Sequence, residues 1–372
     1  MSVLVATTTI GHLSPVESAR LVADAWAQRA PGTTVERLPM SAGGVGFVDA
    51  VEASLGGRRL VVPVPGPDGE ERPATVLVVS TRSGPVAYVE AAEAAPGPYD
   101  GTLQSYGVGR LLRAARDAGA RRIVVGVGDL AALDGGAGML RGVADSAATT
   151  EYELPAHLDA VIGDWSEIEL VAAVDHDTPL VGAQGATYGL LGVDSAEAQS
   201  RERAMGDLID AVERVLPPRR DLLSGLPVRL HRVPGAGAGG GLAYGLSVLG
   251  AQIRNGAEVL AHAVGLADRV RAADVVVTGE TTYDWRSLEH SVVATVSGAA
   301  AAAARPVVMI ARDQHVGRRE SMALGIAGSY SVIPSGRLAP ATPTATDLED
   351  RLAALVGRVA GTWTPPGADD VH

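Results

Sequence analysis

The stretch VLVATTTIGHLSPVE (Val3 to Glu17) decides the fold class. A short apolar run passes into three threonines, the pattern of a buried strand that ends in a polar loop. Ser14 and Pro15 then open a helix. Ser at the cap, Pro in the first turn and Glu17 three residues after Ser14 make an N-terminal signature that carries the helix to about Arg29. Strand, loop and helix in that order predict a parallel α/β layer.

The same grammar recurs outward. RRIVVGVGD (Arg121 to Asp129), LVAAVD (Leu170 to Asp175), DVVVTGE (Asp274 to Glu280) and PVVMIAR (Pro306 to Arg312) read as strands of a buried parallel sheet. Gly107 to Gly119, Ala196 to Leu216 and Val292 to Ala304 read as their helices. From Leu60 to Glu90 the texture changes to antiparallel strands, with turns at Gly66 to Gly69 and Ser83 to Pro85. Arg337 to Thr346 reads as a Pro- and Thr-rich linker, Leu348 to Ala360 as a last helix and residues 361–372 as a disordered tail.

At 372 residues the chain is long enough for two domains. Hydrophobic residues make up 47% and aromatic ones only 3%, so Val, Leu and Ala must build the interior. A net charge of −12 argues against nucleic acid or an anionic membrane as partner and leaves a small-molecule substrate. There is no cysteine, hence no disulfide or thiolate chemistry. Neither a signal peptide nor a membrane-length apolar run is visible, so a cytoplasmic protein is expected. Oligomeric state is not legible.

Three glycine clusters precede predicted helices: SAGGVG (Ser41 to Gly46), LDGGAG (Leu133 to Gly138) and PGAGAGGG (Pro234 to Gly241). Such junctions can cradle an anion against unsatisfied N–H groups, or simply connect. Gly235, Gly237 and Gly240, with Glu258 downstream, also match a dinucleotide fingerprint, provided that Glu258 ends a strand. Asp134, Asp175, Glu280 and Asp284 fall at strand ends or loop-helix junctions, where acids hold a metal, take a proton, cap a helix or merely meet water. His12, His176, His290 and His315 have no metal-ligand spacing.

Taken in order, these segments resemble the glycerate kinase family from about Val3 to Ile333. PMSAGGVGFVDAV (Pro39 to Val51) is similar to the family's PMSDGGEGTVDAL, and SYGVGRLLRAARDAGARRIVVGVG (Ser105 to Gly128) to the segment leading into its GGSATNDGGAG loop. PGAGAGGGLAYGL (Pro234 to Leu246) resembles PGAGAAGGLGAGL. VVVTGETTYDWRSLEHSV (Val275 to Val292) resembles the stretch containing TGEGRIDGQSLHGKAP. The resemblance implies a Rossmann-like parallel-sheet domain (residues 1–60 and 265–360) with a second α/β domain (61–264) inserted into it and the active site in the cleft between. It also implies transfer of the γ-phosphoryl of ATP, with Mg2+, to a hydroxyl of glycerate or a related small hydroxy acid. On this reading Asp175, Glu280 and Asp284 are the catalytic carboxylates. Ser41, Gly43, Gly44, Asp134, Gly135, Gly136, Gly235, Gly237 and Gly239 would bind substrate and phosphate.

The departures from the family pattern are mostly losses of charge. The family's DSFKGSLS is TTTIGHLS here, so that Thr7 replaces an acid and Ile10 a lysine. Ala42, Val45 and Leu133 replace Asp, Glu and Asn, and FGPQKG becomes YGLLGV. Thr281-Thr282 and His290-Ser291 replace GR and GK. Losing cations removes transition-state stabilisation, and Arg232, Arg254, Arg286 and Arg312 are the candidate substitutes. A phosphotransfer-impaired paralogue that binds a small ligand or a partner is therefore the alternative to an active kinase.

Overall fold

The computed structural model describes residues 1–66, 70–97, 103–146, 152–188, 194–220, 225–333 and 345–364. Its strands are β1 (Ser2–Thr7), β2 (Thr34–Arg37), β3 (Arg58–Pro65), β4 (Glu71–Thr81), β5 (Gly84–Glu90), β6 (Arg122–Gly126), β7 (Glu169–Val174), β8 (Arg219–Arg220), β9 (Pro227–Val228), β10 (Gln252–Asn255), β11 (Val275–Tyr283), β12 (Val307–Gln314) and β13 (Ile326–Ile333). They fall into two compact units. The mixed α/β class is as expected, but the predicted parallel strands divide between two sheets instead of sharing one.

The first unit comprises Met1–Ala42, Asp49–Leu55 and Ala257–His372. Its sheet runs β13-β12-β11-β1-β2 with every pair parallel, Val3 opposite Val275 and Val276 opposite Val307. The helix Pro15–Arg29 starts at the predicted capping box, Ser14 and Glu17 satisfying each other's N–H groups. With the helix Ala345–Trp363 it covers one face of the sheet, where Trp26, Val5, Val277, Ile310 and Val356 are buried together. Each such side chain contributes about 1.5–3 kcal/mol. This last helix is longer than predicted: Ala345 and Thr346 of the expected linker and Gly361 to Trp363 of the expected tail are helical. Thr364 follows in a bend, and residues 337–344 and 365–372 lie outside the described residues.

The second unit comprises Gly43–Val48 and Gly56–Gly256. Its sheet runs β10-β7-β6-β5-β4-β3, parallel from β10 to β5 and antiparallel at β4 and β3. The alternation between Leu60 and Glu90 thus marks the antiparallel edge of an otherwise parallel sheet. Residues 67–69 of the predicted first turn and 189–193 of YGLLGV lie outside the described residues. Trp165, Leu111, Val125, Met139 and Leu246 share its core.

Candidate active site

In the first unit, acids gather where the parallel strands end. Glu280 lies near the carboxyl end of β11, and Asp284 caps the 3-10 helix Trp285–Leu288. The Asp284 N–H donates to Ser287 Oγ at 3.1 Å. The Arg286 N–H donates to Asp284 Oδ1 at 2.8 Å, and Arg286 Nη2 to Oδ2 at 2.7 Å. Burial alone would raise Asp284, but the hydrogen bonds and charge of Arg286 outweigh it and hold the carboxyl below its usual range. Glu280 goes the other way. Burial pushes its pKa up to about 7, with the negative charge of Asp284 adding and the Ser287 hydroxyl and Arg286 opposing. Its Oε1 is buried without a hydrogen-bond partner among the described residues. One arginine and two of the predicted acids therefore meet in one place.

Beside them on β12, Asp313 accepts from Thr282 Oγ1 at 2.9 Å and from Arg312 Nη2 at 3.0 and 3.1 Å. Arg312, a candidate substitute cation, is thus engaged by its neighbour. Asp313 was not singled out from sequence, although it directly follows the apolar run PVVMIAR and so was open to the same strand-end argument.

In the second unit, the GGVG part of the first glycine cluster (Gly43 to Gly46) lies against the ends of β6 and β7. A Cβ on Gly43 would sit 2.6 Å from the Ala173 carbonyl oxygen, and the Gly128 N–H donates to Gly43 O at 3.0 Å. The anion at this loop is the chain's own: Asp129 Oδ2 accepts the Val45 N–H at 2.9 Å and stands where a Cβ on Gly44 would go. Asp129, just past β6, was also missed. Its sequence signal was the acid that ends RRIVVGVGD.

Asp134 does the same at the second loop. Fully buried, it accepts the N–H groups of Ser105, Gly136 and Gly138 at 2.9, 2.9 and 3.1 Å and the Ser105 hydroxyl at 2.9 Å. In the third loop Gly235 and Gly237 are buried against the chain itself, Gly237 within contact of the Pro179 carbonyl. The Gly135 N–H donates to Gly240 O at 3.1 Å, which interlocks the second and third loops. Gly239 and Gly240 stay half-buried, so a ligand can approach the backbone there. Ser41, in the first unit, is buried.

Asp175 follows β7. Its side chain remains 39% exposed, yet crowding by surrounding protein raises its pKa, Asp129 adding to the rise while His176 and a backbone amide oppose it. His176 Nε2 lies 3.5 Å from its Oδ1. Asp175 belongs to the second unit, Glu280 and Asp284 to the first.

The positions that depart from the family pattern have taken packing or capping duties. Ile10 and Leu133 are fully buried, and Ser291 Oγ accepts the Ala294 N–H at 3.0 Å to cap the helix Val292–Ala302. Thr7 is buried as well. Ile10 packs by Gly279, and alternation along β11 puts it on the face of the sheet opposite Glu280. Arg254 bonds Gln252 at 2.7 Å. The dinucleotide reading fails on Glu258, which lies in the first turn of the helix Gly256–Ala263 and not at a strand end.

Among the described residues no three His, Asp or Glu side chains converge as a metal cage, and no helix is long and apolar enough to cross a membrane. A magnesium ion asks for less, one or two carboxylates with phosphate and water completing its shell. Glu280, with its orphaned oxygen, and Asp284 beside it meet that requirement.

The model of the glycerate kinase family matches residues 3–364. An uncharacterized protein of Mycobacterium bovis is 32% identical over 97% of this chain and 91% of its own length. A glycerate kinase of Halalkalibacterium halodurans is 28% identical over 87% of this chain and 88% of its own. Among solved structures, a glycerate kinase 2 from Salmonella typhimurium LT2 superposes with a TM-score of 0.69 at 25% identity, covering 97% of this chain and 98% of that one.

Proposed function

Because the chain belongs to the glycerate kinase family, we propose that it transfers the terminal phosphoryl group of ATP to a hydroxyl of glycerate or a related small hydroxy acid, with Glu280 receiving the hydroxyl proton. The observation that carries this is Glu280 itself, a half-buried residue whose buried Oε1 has no hydrogen-bond partner among the described residues and whose carboxyl is pushed up to about 7 near the carboxyl end of a parallel strand. A base works best when its pKa lies near the working pH.

In the reaction the substrate O–H proton passes to the Glu280 carboxylate as the oxygen attacks the terminal phosphorus. The bond from that phosphorus to the bridging oxygen breaks, and ADP leaves. Arg286 holds Asp284 ionised and in position, while Ser287 ties the same turn to the end of β11. A magnesium ion held by Asp284, with Glu280 left free as the base, would neutralise phosphate oxygens. In the second unit the half-buried Gly239 and Gly240 leave backbone open to an anion, whereas amides of the other two glycine loops already serve Asp129 and Asp134.

The test is ADP formation by the purified chain from ATP, Mg2+ and D-glycerate, with product identified by phosphorus NMR. Glu280→Gln should lower kcat roughly 10²–10⁴-fold. A rate unchanged by Glu280→Gln would refute the assignment of the base. Ile10, Leu133 and Ser291, now engaged in packing and capping, favour a second reading in which the chain binds these ligands without transferring phosphate. Saturable binding of D-glycerate or ATP by calorimetry with no ADP formed would select it.

A further inference from the structure

The second unit contains a cavity of ≈ 260 Å³ among the helices Leu158–Trp165, Ser195–Val215 and Leu242–Val248 and the stretch from β9 to Arg232. It meets the last of these helices at its carboxyl end, by Ser247 and Val248, whereas the Gly235 to Gly241 loop precedes the other end. Ile162, Val212, Leu216 and Val248 give it apolar walls.

Its polar groups are unusual for a packing defect. Glu213 Oε1 is buried without a hydrogen-bond partner among the described residues, and His231 Nδ1 is 3.5 Å away, too far for a strong bond. His231 is itself buried, and that burial lowers its pKa, so at neutral pH it brings no positive charge to the carboxylate. Tyr244, also lining the cavity, is pushed upward by burial first and by the Glu213 charge second. Arg229, at the exposed rim, has a guanidinium that makes no hydrogen bond or ion pair among the described residues. An acceptor inside, a cation at the rim and apolar walls between them complement a molecule with an ammonium, a carboxylate and an apolar body. The volume lies below the roughly 300–1,000 Å³ of drug-sized sites, which suits one such small molecule and excludes a nucleotide.

We propose that this cavity is a binding site for a free α-amino acid with an apolar side chain, its ammonium on Glu213, its carboxylate on Arg229 and its side chain against Val212, Leu216 and Val248. The site stands apart from phosphoryl transfer and is tested without it.

The experiment is calorimetric titration of the full chain with L-leucine and L-phenylalanine, alongside isoamylamine, which lacks the carboxylate, and 4-methylpentanoate, which lacks the ammonium. Saturable one-site binding of at least one amino acid is expected, with each truncated analogue weaker by about tenfold or more, since hydrogen bonds to charged groups carry that much. Glu213→Gln should weaken the amino acid by a similar factor and leave 4-methylpentanoate unchanged. Val228 is 43% exposed at the lip, so Val228→Trp should block binding without altering the circular dichroism, which keeps the test decisive even where Glu213→Gln fails to fold. No saturable binding of either amino acid, binding that survives Val228→Trp, or isoamylamine binding as tightly as leucine would overturn the proposal.

Discussion

Asp129 Oδ2 accepts the backbone N–H of Val45 at 2.9 Å, so a carboxylate of the chain already occupies the anion position that SAGGVG offers. The charge that fills this loop also acts on Asp175, whose pKa it helps to raise. Asp129→Asn is therefore expected to move the Asp175 titration downward in carboxyl-detected NMR. An Asp175 titration that does not move would mean that the two carboxylates do not feel each other.

Asp134 holds its loop more firmly. It is 1% exposed and takes three backbone N–H groups and the Ser105 hydroxyl, while Ser105 Oγ in turn accepts the Met139 N–H at 2.8 Å. Asp134→Ala strands these donors in the core, so a loss of at least about 3 kcal/mol in urea-unfolding stability is expected. Were Asp134 chiefly a ligand-binding group, the variant would keep its stability and lose only affinity.

Gly240 closes the interlock between two glycine loops from the other side. Its φ is 61°, and an added Cβ would stand 1.8 Å from the Ala132 carbonyl oxygen. Backbone on both sides leaves no room to relax, so Gly240→Ala should cost at least about 2 kcal/mol in the same measurement.

These loops show what was legible in the sequence and what was not. Ser14, Pro15 and Glu17 announced their helix because a cap is a local device. The strands at Arg121, Leu170, Asp274 and Pro306 were visible as apolar runs, but their division between two sheets depends on partners far along the chain, such as Val3 with Val275. Glycine followed by a helix marked three places where N–H groups could meet an anion, and in two of them the N–H groups bond a carboxylate of the chain itself. It could not tell a bound phosphate from an internal carboxylate, since Asp134 and Ser105 are 29 residues apart and Asp129 and Val45 are 84 apart. Glu280 and Asp284 could be proposed from their place at the end of an apolar run. Their opposite pKa shifts come from burial and from Arg286, which composition does not encode.

Burial of Glu280 has a stability consequence with a definite sign. In the fold its pKa is about 7 against the usual 4.5, so between these values the folded chain binds more protons than the unfolded one. Stability is therefore full below pH 4.5 and falls as pH rises through 7, by on the order of 3 kcal/mol in total. Glu280→Gln carries no titrating group. Measured against the wild-type chain in urea, it should gain relative stability from pH 4 to pH 8.5 by about that amount, whereas a pH-independent difference would show that this carboxyl ionises as it does in water.

Asp284 and Arg286 make the catalytic role of Glu280 testable in both directions. The negative charge of Asp284 raises Glu280, and the positive charge of Arg286 lowers it. A base must be ionised to act, so kcat should fall on the acid side of the Glu280 pKa. Asp284→Asn removes the raising charge and should move that acid limb to lower pH. Arg286→Ala removes the lowering charge and should move it to higher pH. General damage to the site would lower both rates without shifting either limb, and a titration belonging to another group would shift both in the same direction or not at all. Opposite displacement of the two profiles, measured as kcat against pH with D-glycerate and ATP, is the outcome expected if the proton of the substrate hydroxyl goes to Glu280.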